Sequence, residues 1–174
     1  MVWSHKERAV EEITVETREM RRVREILKQV QALGGEYYRL TGKPLGVTGE
    51  VAEFVAADTL GLELAPPRTE GFDAIRRTST GDERVQIKGR AFSGKGNPGQ
   101  RLGTIKRGSP CDVVLLVTLD NETLEPREMW EAPMSAVDSR LAVPGSKARA
   151  AGRLGWAEFK KHCEARLIWP VDES

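Results

Sequence analysis

Apolar residues in this chain follow a helical spacing up to about residue 60 and an alternating spacing beyond it, which predicts helices first and a sheet afterwards. From Lys6 to Leu33 strong helix formers run without a proline and stop at Gly34-Gly35, a pair suited to a helix C-terminus. Within that helix Ile13, Met20, Val23, Leu27 and Val30 form a narrow stripe with mostly heptad spacing. Such a stripe either packs on the body of the protein or pairs with a second copy. Arg18, Arg24 and Lys28 fall on the solvated charged side. A second helix begins near Thr48, whose hydroxyl can cap it, and runs to Gly61 with Val51, Phe54 and Val55 as its apolar face.

Beyond Leu64 the period shortens. Pro66-Pro67 opens an extended connection, Gly71 to Arg77 predicts a strand, Ser79 to Asp82 a turn, and Glu83 to Arg90 the returning strand of a hairpin. On that second strand Val85, Ile87 and Gly89 alternate with Gln86, Lys88 and Arg90, so Gln86 and Lys88 share a side. Phe92 to Arg101 is a glycine-rich basic loop, and Arg101 to Lys106 predicts a further strand. The Val-Val-Leu-Leu-Val run within Asp112 to Leu119 predicts a central strand buried on both faces. Glu128 to Ala132 fits an edge strand carrying Trp130, and Pro133-Met134-Ser135 starts a helix reaching Leu141. Gly145 to Arg153 is a basic small-residue loop, followed by a helix over Trp156 to Ala165 and a last strand over Arg166 to Trp169. The expected architecture is an α/β domain over residues 41–174, a mixed central sheet flanked by helices, with a helical extension over residues 1–40 for packing or dimerisation.

Composition narrows the class. At 174 residues the chain holds one domain with a full core, and 39% hydrophobic with 30% charged residues is ordinary for a globular protein. The net charge of +1 is unevenly spread: no acid interrupts Lys88 to Arg107, whereas Glu50 to Glu70 is mostly acidic. A basic stretch beside an acidic one suits a polyanion bound near a cation. No apolar run approaches the roughly 20 residues that span a bilayer, and Met1 to Arg22 is charged throughout, which points to the cytoplasm. Two cysteines, Cys111 and Cys163, make neither a disulfide framework nor a four-ligand zinc site and are expected as reduced packing residues. His5 and His162 are too few and too far apart for a histidine metal site.

The chemistry concentrates on Asp73 and Lys88. The hairpin brings Asp73 opposite or diagonal to Gln86 and Lys88, setting an acid, a carbonyl donor and an amine on adjacent strands. Phosphodiester hydrolysis needs a hard cation on oxygen ligands and a group that handles the attacking water. Glu50 and Glu53 lie three residues apart on the second helix, so both carboxylates can enter one cleft; equally, they can be a solvated first turn that complements the helix dipole. The basic loop lacks the Gly-Lys-Ser or Gly-Lys-Thr ending of a phosphate-binding loop, so no nucleoside triphosphate site is expected there.

A helix with Gly49-Glu50, then Asp73 on a strand, then Gln86-Ile87-Lys88 on the next, resembles the PD-(D/E)XK, or restriction-endonuclease-like, nuclease superfamily. The Gln-x-Lys form is similar to that of Mrr-type restriction endonucleases, in which glutamine replaces the usual acid. Gly49 to Lys88 followed by Asp112-Val113-Val114-Leu115-Leu116 also resembles a group of small bacterial nuclease-fold proteins. The resemblance covers most of residues 45–170 and implies a metal-dependent nuclease acting on double-stranded DNA, in restriction, defence or repair. It implies Mg²⁺ or Mn²⁺ held by Asp73, the Gln86 side-chain carbonyl and the Ile87 backbone carbonyl, with Glu50 as the helical glutamate and Glu53 in second place. Lys88 would orient or deprotonate the attacking water, or stabilise charge on the phosphate. Arg90, Lys95 and Arg101 would contact backbone phosphates without reading bases. Two other classes stay open: a nuclease-fold module that binds nucleic acid without cutting, because Gln86 replaces an acid, and an interaction protein working through the N-terminal helix. Homodimerisation is compatible with all three.

Overall fold

A computed structural model describes residues 17–92 and 100–170. Eleven elements follow in chain order: α1 (Arg18–Thr41), α2 (Thr48–Leu60), β1 (Glu63–Leu64), β2 (Ala74–Thr78), β3 (Gly81–Phe92), β4 (Val113–Asp120), β5 (Pro126–Pro133), α3 (Met134–Ala142), α4 (Lys147–Ala150), α5 (Trp156–His162) and β6 (Arg166–Trp169). The strands form one six-stranded sheet in sequential order. Every pairing is antiparallel except β3 with β4, which is parallel and aligns Val85 with Val113. The fold is therefore mixed α/β, as the patterning predicts.

The sheet is buried on both faces. On one, Val85, Ile87, Val113, Leu115 and Val117 meet Val51, Ala52, Phe54 and Val55 of α2, with Leu27 and Val30 of α1 at the margin. On the other, Val114, Leu116 and Ala132 meet Val137 and Leu141 of α3, Phe159 of α5, and Leu102 and Ile105. This two-sided burial explains why β4 reads as an unbroken apolar run. Cys111 and Cys163 are buried free thiols in the second cluster. Among the described residues one charged group is buried, on the α2 face of the sheet: Glu131 on β5, level with Leu115, takes ion pairs from Arg76 and Arg166, and Arg76 also bonds Glu83 at 2.6 Å.

Several boundaries differ from the sequence expectation. Residues 6–16 of the expected first helix, with Ile13, lie outside the described residues. Thr17 caps α1 through the Met20 N–H at 3.2 Å. At its other end α1 runs through Gly34-Gly35 to Thr41. A Cβ on Gly35 would sit 1.9 Å from the Glu122 carbonyl oxygen, and one on Gly34 2.8 Å from Leu124 Cδ1. The two glycines let the helix press on the β4–β5 turn instead of ending it. The stop comes at Gly42, whose φ of 68° and N–H to the Tyr38 carbonyl make a left-handed cap. Thr48 is the first residue of α2 and not its cap; Val47 holds that position without a side-chain bond. Arg101 to Lys106 is no strand. Its amides at Leu102 and Ile105 bond the carbonyls of Leu154 and Gly152, a loop without further ladder positions. β5 is not an edge, because β6 pairs with it, and the basic loop over 145–153 contains the short helix α4. Among the described residues no helix is long and apolar enough to cross a membrane.

Candidate active site

Asp73 directly precedes β2, where that strand starts to pair with β3. Its N–H reaches the Val85 carbonyl at 2.9 Å, and its carboxylate Oδ2 accepts the Ile87 N–H at 2.7 Å. The acid thus replaces the missing backbone partner just where the edge of β3 opens. In an antiparallel pair a residue directs its N–H and C=O to the same neighbour, so the Ile87 carbonyl lies on that same open edge.

Register fixes the facing. Ala74 pairs with Val85, and both belong to the α2-side core. Gln86 therefore faces the opposite side, with Lys88 two residues further on, while Asp73, in the bend before β2, turns its carboxylate to the Ile87 N–H. Gln86 is only 9% exposed, and its side-chain Oε1 has no hydrogen-bond partner. An orphaned buried acceptor costs about 1–3 kcal/mol and calls for an explanation at that site. Lys88 is half-buried. Burial depresses its pKa, against the opposing pull of Asp73 and Glu53. It makes no ion pair or hydrogen bond among the described residues.

The helical acids come from α2, which is seated by Gly89. A Cβ there would meet Ala52 Cβ at 2.5 Å and the Thr48 carbonyl oxygen at 2.7 Å, so only glycine lets the first turns of α2 lie on β3. The seating brings Glu53 into the electrostatic neighbourhood of Asp73 and Lys88. Its pKa is raised, first by burial, then by the charges of Asp73 and Glu50, with Lys88 opposing. Glu50 is exposed, Glu53 half-buried. Of the two glutamates, Glu53 is the half-buried one whose charge interacts with those of Asp73 and Lys88. Sequence reasoning missed Gly89, although a glycine inside an otherwise regular strand is the usual sign of close backbone approach.

Arg90 follows on the same face. Its guanidinium donates to the Arg101 carbonyl at 2.5 Å and the Gly89 carbonyl at 2.6 Å, and burial lowers its pKa. Both acceptors are neutral, and among the described residues no carboxylate bonds Arg90. Gly103 passes over Lys88 and Arg90, its ideal Cβ lying 3.6 Å from Lys88 Cδ and 3.4 Å from Arg90 Nη2. Arg101 is exposed and bridges to Gly155. Lys95 lies outside the described residues.

The donor set suits a hard cation only in part. Asp73, the Ile87 carbonyl and the orphaned Gln86 oxygen are oxygen donors of the kind magnesium and manganese take, and the repulsion that raises the Glu53 pKa is what a divalent ion relieves. Among the described residues, however, no three His, Cys, Asp or Glu side chains stand close enough to hold an ion by themselves. A site here therefore depends on the neutral carbonyl oxygens. No family model matches the chain, and no curated protein matches it either.

Proposed function

We propose that the chain is a cytoplasmic, Mg²⁺- or Mn²⁺-dependent endonuclease that hydrolyses phosphodiester bonds in double-stranded DNA, of the PD-(D/E)XK type with the Gln-x-Lys variation. The observation that carries the reading is the shared electrostatic neighbourhood of Asp73, Glu53 and Lys88, with a buried, partnerless Gln86 oxygen two residues from Lys88 on the same strand. Asp73, Gln86, the Ile87 carbonyl and a glutamate of α2, Glu53 or Glu50, would hold the ion. When bound, such a cation polarises a phosphoryl oxygen and lowers the pKa of a water.

The remaining work falls to the chain. The Ile87 N–H fixes the orientation of the Asp73 carboxylate. Lys88, with a depressed pKa and no competing partner among the described residues, takes a proton from the attacking water or neutralises charge developing on the phosphate. Arg90, held by two carbonyls, contacts a flanking phosphate without reading sequence, with Arg101 beside it.

A second reading, a module that binds duplex DNA without cutting it, is favoured by the absence of a third convergent acid among the described residues. Plasmid cleavage in Mg²⁺ and Mn²⁺ separates the two. The first reading expects cleavage by the wild type and its loss in Asp73→Ala and Lys88→Ala, with their circular dichroism unchanged. Cleavage by those variants at the wild-type rate sinks it, and salt-sensitive binding without cleavage in either metal establishes the second.

A further inference from the structure

Helix α1 carries two apolar stripes, and the fold uses one. Leu27, Gln31, Gly34 and Tyr38 face the body: Leu27 packs on the core, Gln31 donates to the Leu124 carbonyl at 3.0 Å, and the Tyr38 hydroxyl accepts from Asn121 at 3.2 Å. About 100° round the helix lies a second stripe of Val23, Ile26, Val30, Leu33, Tyr37 and Leu40. Its spacings alternate strictly between three and four residues, the seam of a two-stranded coiled coil. Only Val30, at the boundary, is partly buried; the other five are exposed, Leu33 to 60% and Leu40 to 78%.

We infer that this seam pairs with the same seam of a second copy, the two α1 helices running antiparallel. Two features of the stripe favour that occupant. In the antiparallel register Val23 meets Leu40, Ile26 meets Tyr37 and Val30 meets Leu33 of the other copy, so each layer sets a β-branched residue against a larger one. The five exposed side chains present roughly 500 Å² per copy, so pairing removes about 1,000 Å² in all, the size at which specific interfaces begin. Buried area does not set affinity, so the pairing is read over a range of concentrations. The pairing stands independently of any nuclease activity.

Sedimentation velocity on the full chain, up to about 100 µM, tests it. The wild type should show twice the mass of one chain, and Leu33→Glu with Leu40→Glu, at positions exposed in the single chain, should show one mass, with the melting curve of the wild type at dilutions where that too is single. A wild type that stays single at the top concentration, or a double variant that still pairs, overturns the proposal. Orientation is read by mild oxidation, since the native cysteines are buried. Val23→Cys with Leu40→Cys should cross-link into dimers and Leu40→Cys alone should not; cross-linking by the single variant overturns the antiparallel arrangement. If removing residues 1–16 turns a single chain into a dimer, that segment covers the seam and the proposal fails.

Discussion

Replacing Gly89 with alanine adds one methyl group where α2 crosses β3. Its carbon would lie 2.5 Å from Ala52 Cβ and 2.7 Å from the Thr48 carbonyl oxygen. Carbon pairs settle at about 3.5–4.0 Å, so α2 must withdraw by about 1 Å. Neither neighbour is a flexible side-chain end that can swing aside. Overpacking of this kind costs about 1–3 kcal/mol, offset by about 0.5–1 kcal/mol because alanine loses less chain entropy than glycine. A net loss near 1–2 kcal/mol lowers Tm by about 3–8 °C in a chain of this length. The displacement also draws Glu53 from Asp73 and Lys88, and a 1 Å misplacement of a reacting group costs roughly 100-fold in rate. Thermal melts with plasmid cleavage at a temperature where the variant is folded measure both effects. Gly49→Ala is the control: nothing lies within 4 Å of its added carbon, so stability should hold or rise. If Gly89→Ala melts and cleaves like the wild type, α2 is not seated by this contact and the derivation of Glu53's position is wrong.

Further substitutions probe the charges. Gln86→Glu puts a carboxylate in a buried position without a hydrogen-bond partner; without metal it should melt lower than the wild type, and added Mn²⁺ should raise its Tm by more than it raises that of the wild type. Lys88→Met should abolish cleavage while raising Tm, because it removes a half-buried ammonium that has no ion-pair partner among the described residues; a lower Tm would contradict the assigned environment. Glu53 has a folded pKa above its ordinary value, so the native state holds its proton more tightly than the unfolded chain. Stability from this group therefore falls as pH rises from the ordinary carboxylate range through the raised pKa. Glu53→Gln should remove that decline and stabilise the protein at neutral pH by less than about 1 kcal/mol. Melts across pH 4–8, in about one-unit steps, measure the difference between the two proteins.

The parts legible in the sequence are those set by local period. Two-residue alternation set Gln86 and Lys88 on one side of β3, and the apolar run of β4 announced burial on both faces. What remained illegible depended on distant partners. Gly34-Gly35 has the composition of a helix stop, yet the pair serves close packing against Glu122 and Leu124, which no local pattern announces. Leu102 and Ile105 are buried as a strand would bury them, but their amides bond a loop and not a ladder. Glu50 and Glu53 have nearly the same helical bearing, and only the contact of Gly89 with Thr48 and Ala52 brings the charge of Glu53 to those of Asp73 and Lys88.

The central claim is a divalent cation at Asp73, and a Mn²⁺ titration followed by electron paramagnetic resonance reads it without requiring turnover. The account predicts saturable loss of the free Mn²⁺ signal on the wild type, about one ion per chain, and its disappearance in Asp73→Ala under the same conditions. Binding that survives intact in Asp73→Ala, or a wild type that takes up no ion, would contradict it.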